Sequence, residues 1–208
     1  MNEHARLPAS LFDDFVADRP DDERWELIEG SFVMQATPNI DHQVIVFNIA
    51  RLLNDALESA GIERIALPGP TIDLTPIIAG NKFVPDVTVL DMADIVPDRH
   101  TTTRCYLAVE IVSASDRRRL DRGGRTTIEI KRDGYARLPD CEAILVVEQK
   151  RYAVRIGLRD GEDWSWAMLT DAADEVVLPI FGLRCRLGDF YARTSLALGR
   201  IKQRPSRR

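Results

Sequence analysis

The chain has 208 residues, a formal net charge of −5, 45% hydrophobic residues and 29% charged residues. This length fits one domain with a full core, and the composition is typical of a soluble protein. No apolar run approaches the roughly 20 residues that cross a bilayer, and the first residues lack the order of a signal peptide. Three cysteines without Cys-x-x-Cys spacing favour reduced thiols over a zinc site. We therefore expect a cytoplasmic protein that contacts no membrane.

The first sixty residues predict two helices separated by a hairpin. Residues 10–18 predict a short helix capped by Ser10, and residues 25–35 predict two strands around a turn at Glu29-Gly30. Apolar residues at helical spacing then predict a long helix over residues 41–61.

The rest of the chain predicts strands on either side of one further helix. That helix covers residues 126–138 and begins near Thr126 or Thr127, and residues 159–163 predict a hairpin turn. Strand-like runs occupy residues 63–67, 70–74, 82–91, 105–113, 143–149, 151–158, 164–170 and 175–180. This order predicts an α+β fold, an α/β sandwich in which helices flank a central mixed sheet.

Basic charge is concentrated in two segments of an otherwise acidic chain. Residues 193–208 hold six basic residues and no acid, whereas the other 192 residues carry 22 basic and 33 acidic groups, a net of −11. We predict a single domain over residues 1–192 and a basic, flexible tail over residues 193–208. The second basic segment, residues 116–132, is either a solvated face or a surface that contacts phosphates. The candidate contacts are Arg117, Arg118, Arg119, Arg122 and Arg125.

Two acids interrupt apolar strand-like runs. Asp86 follows Pro85 within VPDVTVLD, and Glu110 lies within YLAVEIVS. A buried carboxylate needs a cation, hydrogen bonds or a metal, and two such acids on neighbouring strands would suit Mg²⁺. Pro85 lacks an N–H, so the strand is expected to open there. The alternative is that Asp86 ends a strand and Glu110 pairs with an arginine, and spacing alone does not decide between them.

Four segments in order resemble a known family. WELIEG, VPDVTVLD, YLAVEIVSASD and a Lys-x-x-x-Tyr helix are similar to the Uma-type family of putative restriction endonucleases, members of the PD-(D/E)XK nuclease superfamily. The resemblance covers the chain from Trp25 to about Tyr191. It implies a restriction-endonuclease-like fold and a Mg²⁺-dependent endonuclease that hydrolyses DNA, with Mn²⁺ as a possible substitute.

The resemblance also implies site residues. Asp86 and Glu110 would be the catalytic acids that bind the metal, and Lys131 would supply the catalytic cation from the helix, with Arg125 as a rival. Lys131 and Tyr135 are four residues apart and would face the same way. Glu26 matches an upstream catalytic acid.

Some alternatives remain open at this point. His42 is either an accessory residue of the site or a structural hydrogen-bonding residue. The pattern favours core or dimer contacts over a stacking surface for four aromatic residues, Trp164, Trp166, Phe181 and Tyr191. A homodimer is compatible with duplex cleavage, and the alternative function is a catalytically silent nuclease fold that acts as a binding or interaction module.

Overall fold

The computed structural model describes residues 9–20, 22–113 and 124–199 of the chain. Within these ranges the helices and strands follow in the order α1 (Ala9–Ala17), β1 (Trp25–Ile28), β2 (Ser31–Met34), α2 (Ile40–Ser59), β3 (Arg64–Leu67), β4 (Thr71–Asp73), β5 (Lys82–Phe83), β6 (Val87–Asp91), β7 (Thr101–Thr102), β8 (Leu107–Val112), α3 (Thr127–Ala136), β9 (Ala143–Glu148), β10 (Val154–Asp160), β11 (Asp163–Leu169), β12 (Glu175–Leu178), β13 (Leu183–Arg186) and α4 (Leu187–Phe190). None of the helices in these ranges is both long enough and apolar enough to span a bilayer.

A six-stranded mixed sheet forms the centre of the protein, with the strand order β11-β10-β9-β8-β6-β3. Strands β8 and β9 are parallel, and the other neighbouring pairs are antiparallel. The connection between the two parallel strands contains α3, as a parallel crossover requires. All six residues of β8 are buried, which explains why its sequence is almost continuously apolar.

Two helices cover the two faces of this sheet. On one face, Ile45, Ile49 and Leu53 of α2 pack with Val87 and Val109. On the other face, Ile130 and Tyr135 of α3 pack with Ala108 and Ile144. Successive strand residues point to opposite faces, so β8 sends Val109 towards α2 and its neighbours Ala108 and Glu110 towards α3. The prediction of an α+β sandwich with a central mixed sheet is confirmed.

A second sheet, with the order β2-β1-β5-β4-β7, lies beside the first. Strands β1 and β2 form the predicted hairpin, and its turn residues Glu29 and Gly30 both have positive φ, at 49° and 80°. Strand β1 then pairs with β5 through Leu27 and Lys82. This pairing brings Glu26 next to the chain that leads into Asp86.

The ends of the predicted elements agree in part with the structure. Helix α2 begins at Ile40 with Asn39 as its cap, and α3 begins at Thr127 with a capping box between Thr126 and Glu129. The prediction that Ser10 caps the first helix is wrong, because α1 already includes Ala9.

The predicted division between domain and tail lies within the chain segment after α4. Thr194 and Leu196 are buried, and Leu196 belongs to the core on the α2 face. Packing therefore continues past residue 192, while residues 200–208 lie outside the described part of the chain. The single domain over residues 1–192 with a separate basic tail stays a prediction.

Candidate active site

The strand run predicted over residues 82–91 is divided at Pro85. Strand β5 ends at Phe83 and β6 begins at Val87. Pro85 has no N–H to donate, so the chain leaves one sheet and enters the other at this point. The Asp86 N–H donates to the Val109 carbonyl (3.0 Å), and the Asp86 carboxylate accepts from the Ile111 N–H (2.7 Å). Asp86 is therefore fixed beside the strand that carries Glu110.

Glu110 is buried on the α3 face of β8 and is bound by two side chains of that helix. The Lys131 ammonium lies 2.7 Å from Oε1 and 2.8 Å from Oε2 of Glu110, and the Tyr135 hydroxyl donates to Oε1 (2.7 Å). Lys131 and Tyr135 reach the same carboxylate because they are one helical turn apart.

Glu26 joins the same group from the second sheet. Its Oε1 lies 2.8 Å from the Lys131 ammonium and accepts a hydrogen bond from the Val84 N–H (2.7 Å). Lys131 also lies 3.4 Å from the Val84 carbonyl. Three separate parts of the chain therefore meet around one ammonium group whose side chain is only 2% exposed.

The electrostatics of this cluster favour an additional cation. Burial alone would lower the pKa of Lys131, but the carboxylates of Glu110 and Glu26 raise it above its ordinary value. Burial raises the pKa of Glu110 well above its ordinary value, Lys131 opposes this, and Asp86 and Glu26 raise the pKa further. Lys131 contacts the carboxylates of Glu110 and Glu26, and Asp86 adds a third negative charge close enough to raise the pKa of Glu110.

Burial also determines the state of Tyr135. It is the largest cause of a pKa well above the ordinary value of tyrosine, and the carboxylates of Glu110 and Glu26 add to it. The phenol therefore remains protonated and donates its hydrogen to Glu110.

His42 lies against Asp86 from the first turn of α2. Its Nε2 is 3.3 Å from Asp86 Oδ1, and its buried Nδ1 has no hydrogen-bond partner among the described residues. Asn39 fixes this end of the helix, since its side chain accepts from the His42 N–H (3.0 Å) and from Gln149 (2.7 Å). Sequence reasoning missed Asn39 and Gln149, and the only available signal was the capping preference of Asn39.

Of the five arginines predicted to contact phosphates, only Arg125 lies in the described part of the chain. Arg117, Arg118, Arg119 and Arg122 lie outside the described residues. Arg125 forms an ion pair with Glu29 at the β1–β2 turn. In the structure the cation that contacts Glu26 and Glu110 is Lys131, and the roles of these residues stay predictions.

The donor atoms of this cluster are carboxylate oxygens, which hard divalent ions such as Mg²⁺ prefer as ligands. The described ranges contain no cluster of three or more His, Cys, Asp or Glu residues placed to hold a metal. Mg²⁺ commonly uses only one or two carboxylates and keeps several waters. Asp86 and Glu110 supply such a pair, and the side chain of Asp86 is 21% exposed. The excess negative charge would be balanced by a divalent ion.

A family model and a solved structure both match this chain. The family model described as Uma2, putative restriction endonuclease, matches residues 6–188. The chain belongs to this family, which confirms the resemblance found in the sequence.

A solved structure has the same fold. It is a putative nuclease belonging to DUF820 from Anabaena variabilis ATCC 29413, with a TM-score of 0.62 and 13% sequence identity. The match covers 86% of this chain and 96% of the other. No curated protein matches the chain.

Proposed function

We propose that the protein is a metal-dependent endonuclease that hydrolyses phosphodiester bonds of DNA. The observation that carries this proposal is the convergence of Asp86, Glu110, Glu26 and Lys131 where the chain passes between the two sheets. Membership of a family described as putative restriction endonucleases supports nuclease activity. The DNA substrate and the metal requirement are our own additions to that assignment.

Asp86 and Glu110 would hold Mg²⁺, with Mn²⁺ as a substitute. When bound, the ion would supply Lewis-acid polarisation of the phosphate and a lower pKa for a bound water. Asp86 is suited to this role because its carboxylate is partly exposed and fixed by the Ile111 N–H.

Lys131 would provide a fixed positive charge beside the reacting phosphate. Its ammonium is kept charged by Glu110 and Glu26, so it can orient water or neutralise developing negative charge. Glu26 and Tyr135 are positioning residues, since Glu26 contacts Lys131 and Tyr135 contacts Glu110. His42 would act through Asp86, which it approaches at 3.3 Å.

Plasmid cleavage tests the proposal. We expect nicking or linearisation by the wild-type protein with Mg²⁺ or Mn²⁺ but not with EDTA, and a loss of at least about 100-fold in Asp86→Asn and Lys131→Met. Lys150→Met is the matched control, because Lys150 is exposed. Equal cleavage by all four proteins would identify a contaminating nuclease and overturn the proposal.

The second candidate function is a catalytically silent module that binds or interacts through the same fold. One observation favours it: Lys131 already contacts both oxygens of Glu110. The acidic net charge of −5 also disfavours tight non-specific DNA binding. This candidate requires that divalent metal does not stabilise the protein and that no preparation cleaves DNA.

Homodimerisation is part of the proposal, because cutting both strands of a duplex is simplest with two active sites. Sedimentation equilibrium of the full chain would give the mass of a dimer. A monomer across the working concentration range would remove this part of the proposal without affecting the nuclease assignment.

A further inference from the structure

An open cleft of about 350 Å³ lies between α3 and the strands β8 to β11. It begins at Val112, two residues beyond Glu110 on the same face of β8, and extends to Met168 on β11. Alternate residues of a strand are about 7 Å apart, so the cleft is adjacent to the candidate active site. Three arginines line it, namely Arg132, Arg151 and Arg155.

Strand register aligns the cleft with the acids. Glu110 pairs with Val146, Val146 pairs with Arg155, and Arg155 pairs with Met168. These four residues form one row across four strands and therefore point to the same face of the sheet. Arg155 lies two strands from Glu110, a backbone separation of about 10 Å. A polyanion that reaches the acids can thus also reach Arg155.

An exposed aromatic surface lies beside this row. Trp166 pairs with Gly157, and a Cβ atom on Gly157 would lie 2.6 Å from the indole. The absence of a side chain at Gly157 therefore lets the ring lie against the sheet. Trp166 nevertheless remains 41% exposed, and its ring stacks with that of Trp164 at 5.9 Å and 27°. Trp166 is thus not a core residue, and the other role that the sequence favoured, a dimer contact, stays a prediction.

Two acids, Glu129 and Glu148, line the cleft together with the three arginines, and one of these arginines forms no ion pair with the described residues. Arg132 pairs with Asp133 and lies over the Trp166 ring at 5.5 Å, and Arg151 pairs with Glu148. Arg155 is exposed and forms no ion pair within residues 9–20, 22–113 and 124–199. Unpaired nucleotides bind surfaces on which aromatic rings lie next to arginines. Their bases stack on the rings, and their phosphates pair with the guanidinium groups.

We propose that this cleft binds a single-stranded segment of the polynucleotide next to the candidate active site. A phosphate contacts Arg155, and an unpaired base stacks on the exposed part of the Trp166 ring. This inference rests on the proposed function for its substrate class. Internal base pairs of a duplex are stacked on both faces and cannot place a base on Trp166, so the cleft selects an unpaired strand over the interior of a duplex.

Binding of a fluorescein-labelled oligo-dT to the full chain in EDTA tests the inference without requiring cleavage. We expect Arg155→Gln to weaken binding by about 5-fold to 10-fold and to reduce the slope of log K against log salt by about 0.7. We also expect oligo-dT to quench tryptophan fluorescence, and Trp166→Phe to lose most of that quenching. Arg51→Gln is the control, since Arg51 is exposed on α2 at the other face of the sheet.

Equal affinities of Arg155→Gln and Arg51→Gln would overturn the inference. So would competition by a relaxed, covalently closed circular duplex, which has no ends, that is as effective per nucleotide as competition by oligo-dT. If Asp86→Asn lost cleavage while Arg155→Gln bound oligo-dT as well as the wild type, the strand-binding role of the cleft would be rejected and the nuclease proposal would stand. If Arg155→Gln bound oligo-dT more weakly but no protein cleaved DNA, the strand-binding role of the cleft would be supported and the nuclease proposal would be rejected.

Discussion

Lys131 combines almost complete burial with a full positive charge. Its ammonium contacts Glu110 and Glu26 at 2.7–2.8 Å, and these contacts offset the cost of removing the charge from water. The same contacts make the residue hard to replace, because each carboxylate depends on it. The stability and the proposed chemistry of the site thus depend on one side chain.

Lys131→Met is expected to lower the free energy of unfolding by about 3–5 kcal/mol, because Glu26 and Glu110 lose their buried counterion. Adding Glu110→Gln should recover part of this loss, since one uncompensated carboxylate is removed. Urea denaturation measures both effects, and exposed Lys150→Met should stay within about 0.5 kcal/mol of the wild type. A single Lys131→Met variant as stable as the wild type would contradict the described network.

The thiol of Cys185 is expected to make the stability of the folded protein depend on pH. Burial, assisted by Asp189, raises the pKa of its thiol to about 12. The folded protein therefore retains this proton between the ordinary thiol pKa of about 8.5 and 12, while the unfolded chain loses it. The contribution of Cys185 to stability is present below pH 8.5 and is lost as the pH rises through this window.

Alkylation with iodoacetamide checks the state of Cys185. At pH 9 the folded protein should react at this thiol at least about 100-fold more slowly than the urea-unfolded chain, because only the thiolate reacts. Peptide mapping assigns the modified residue. Equal rates in the folded and unfolded protein would contradict a raised pKa.

At the scale of the elements, α3 determines where Lys131 lies. The helix begins at Thr127 because the Thr126 side chain accepts from the Glu129 N–H, and Glu129 accepts in return from the Thr126 N–H. This local signal was readable in the sequence, and it places Lys131 in the second turn of the helix. The position of the candidate cation thus follows from a capping box.

Thr126→Ala is expected to destabilise the protein by about 1 kcal/mol through loss of this cap, whereas Thr126→Ser should retain most of the stability. Thermal unfolding of the two variants gives the comparison. If the serine variant lost as much stability as the alanine variant, the cap would not be the cause.

Elements with a local signal in the sequence were predictable, whereas contacts between distant segments of the chain were not. The β1–β2 hairpin, α2 and α3 follow from turn residues, helical spacing and caps, and their existence was predicted. The pairing of β1 with β5 joins Leu27 to Lys82 and has no local signal, so the link between Glu26 and Val84 was not predicted. The position of the Trp166 ring likewise depends on Gly157 in the neighbouring strand.

For the molecule as a whole, the two sheets meet where the proposed chemistry would occur. The six-stranded sheet contributes Glu110, the connection between β5 and β6 contributes Asp86, and the second sheet contributes Glu26. Lys131 of α3 joins Glu110 to Glu26. Such a site can form only after both sheets and α3 have packed together. Occupation of the site by a ligand should therefore stabilise the whole fold.

Titration of thermal stability with Mg²⁺ tests the central claim most directly, namely that Asp86 and Glu110 form a divalent-metal site. The melting temperature of the wild type should rise with Mg²⁺ concentration and saturate, because an ion that binds only the folded state stabilises it. Asp86→Asn should abolish the rise, and exposed Lys150→Met should retain it. A melting temperature that does not respond to Mg²⁺ or Mn²⁺, or an equal rise in Asp86→Asn, would contradict the metal site.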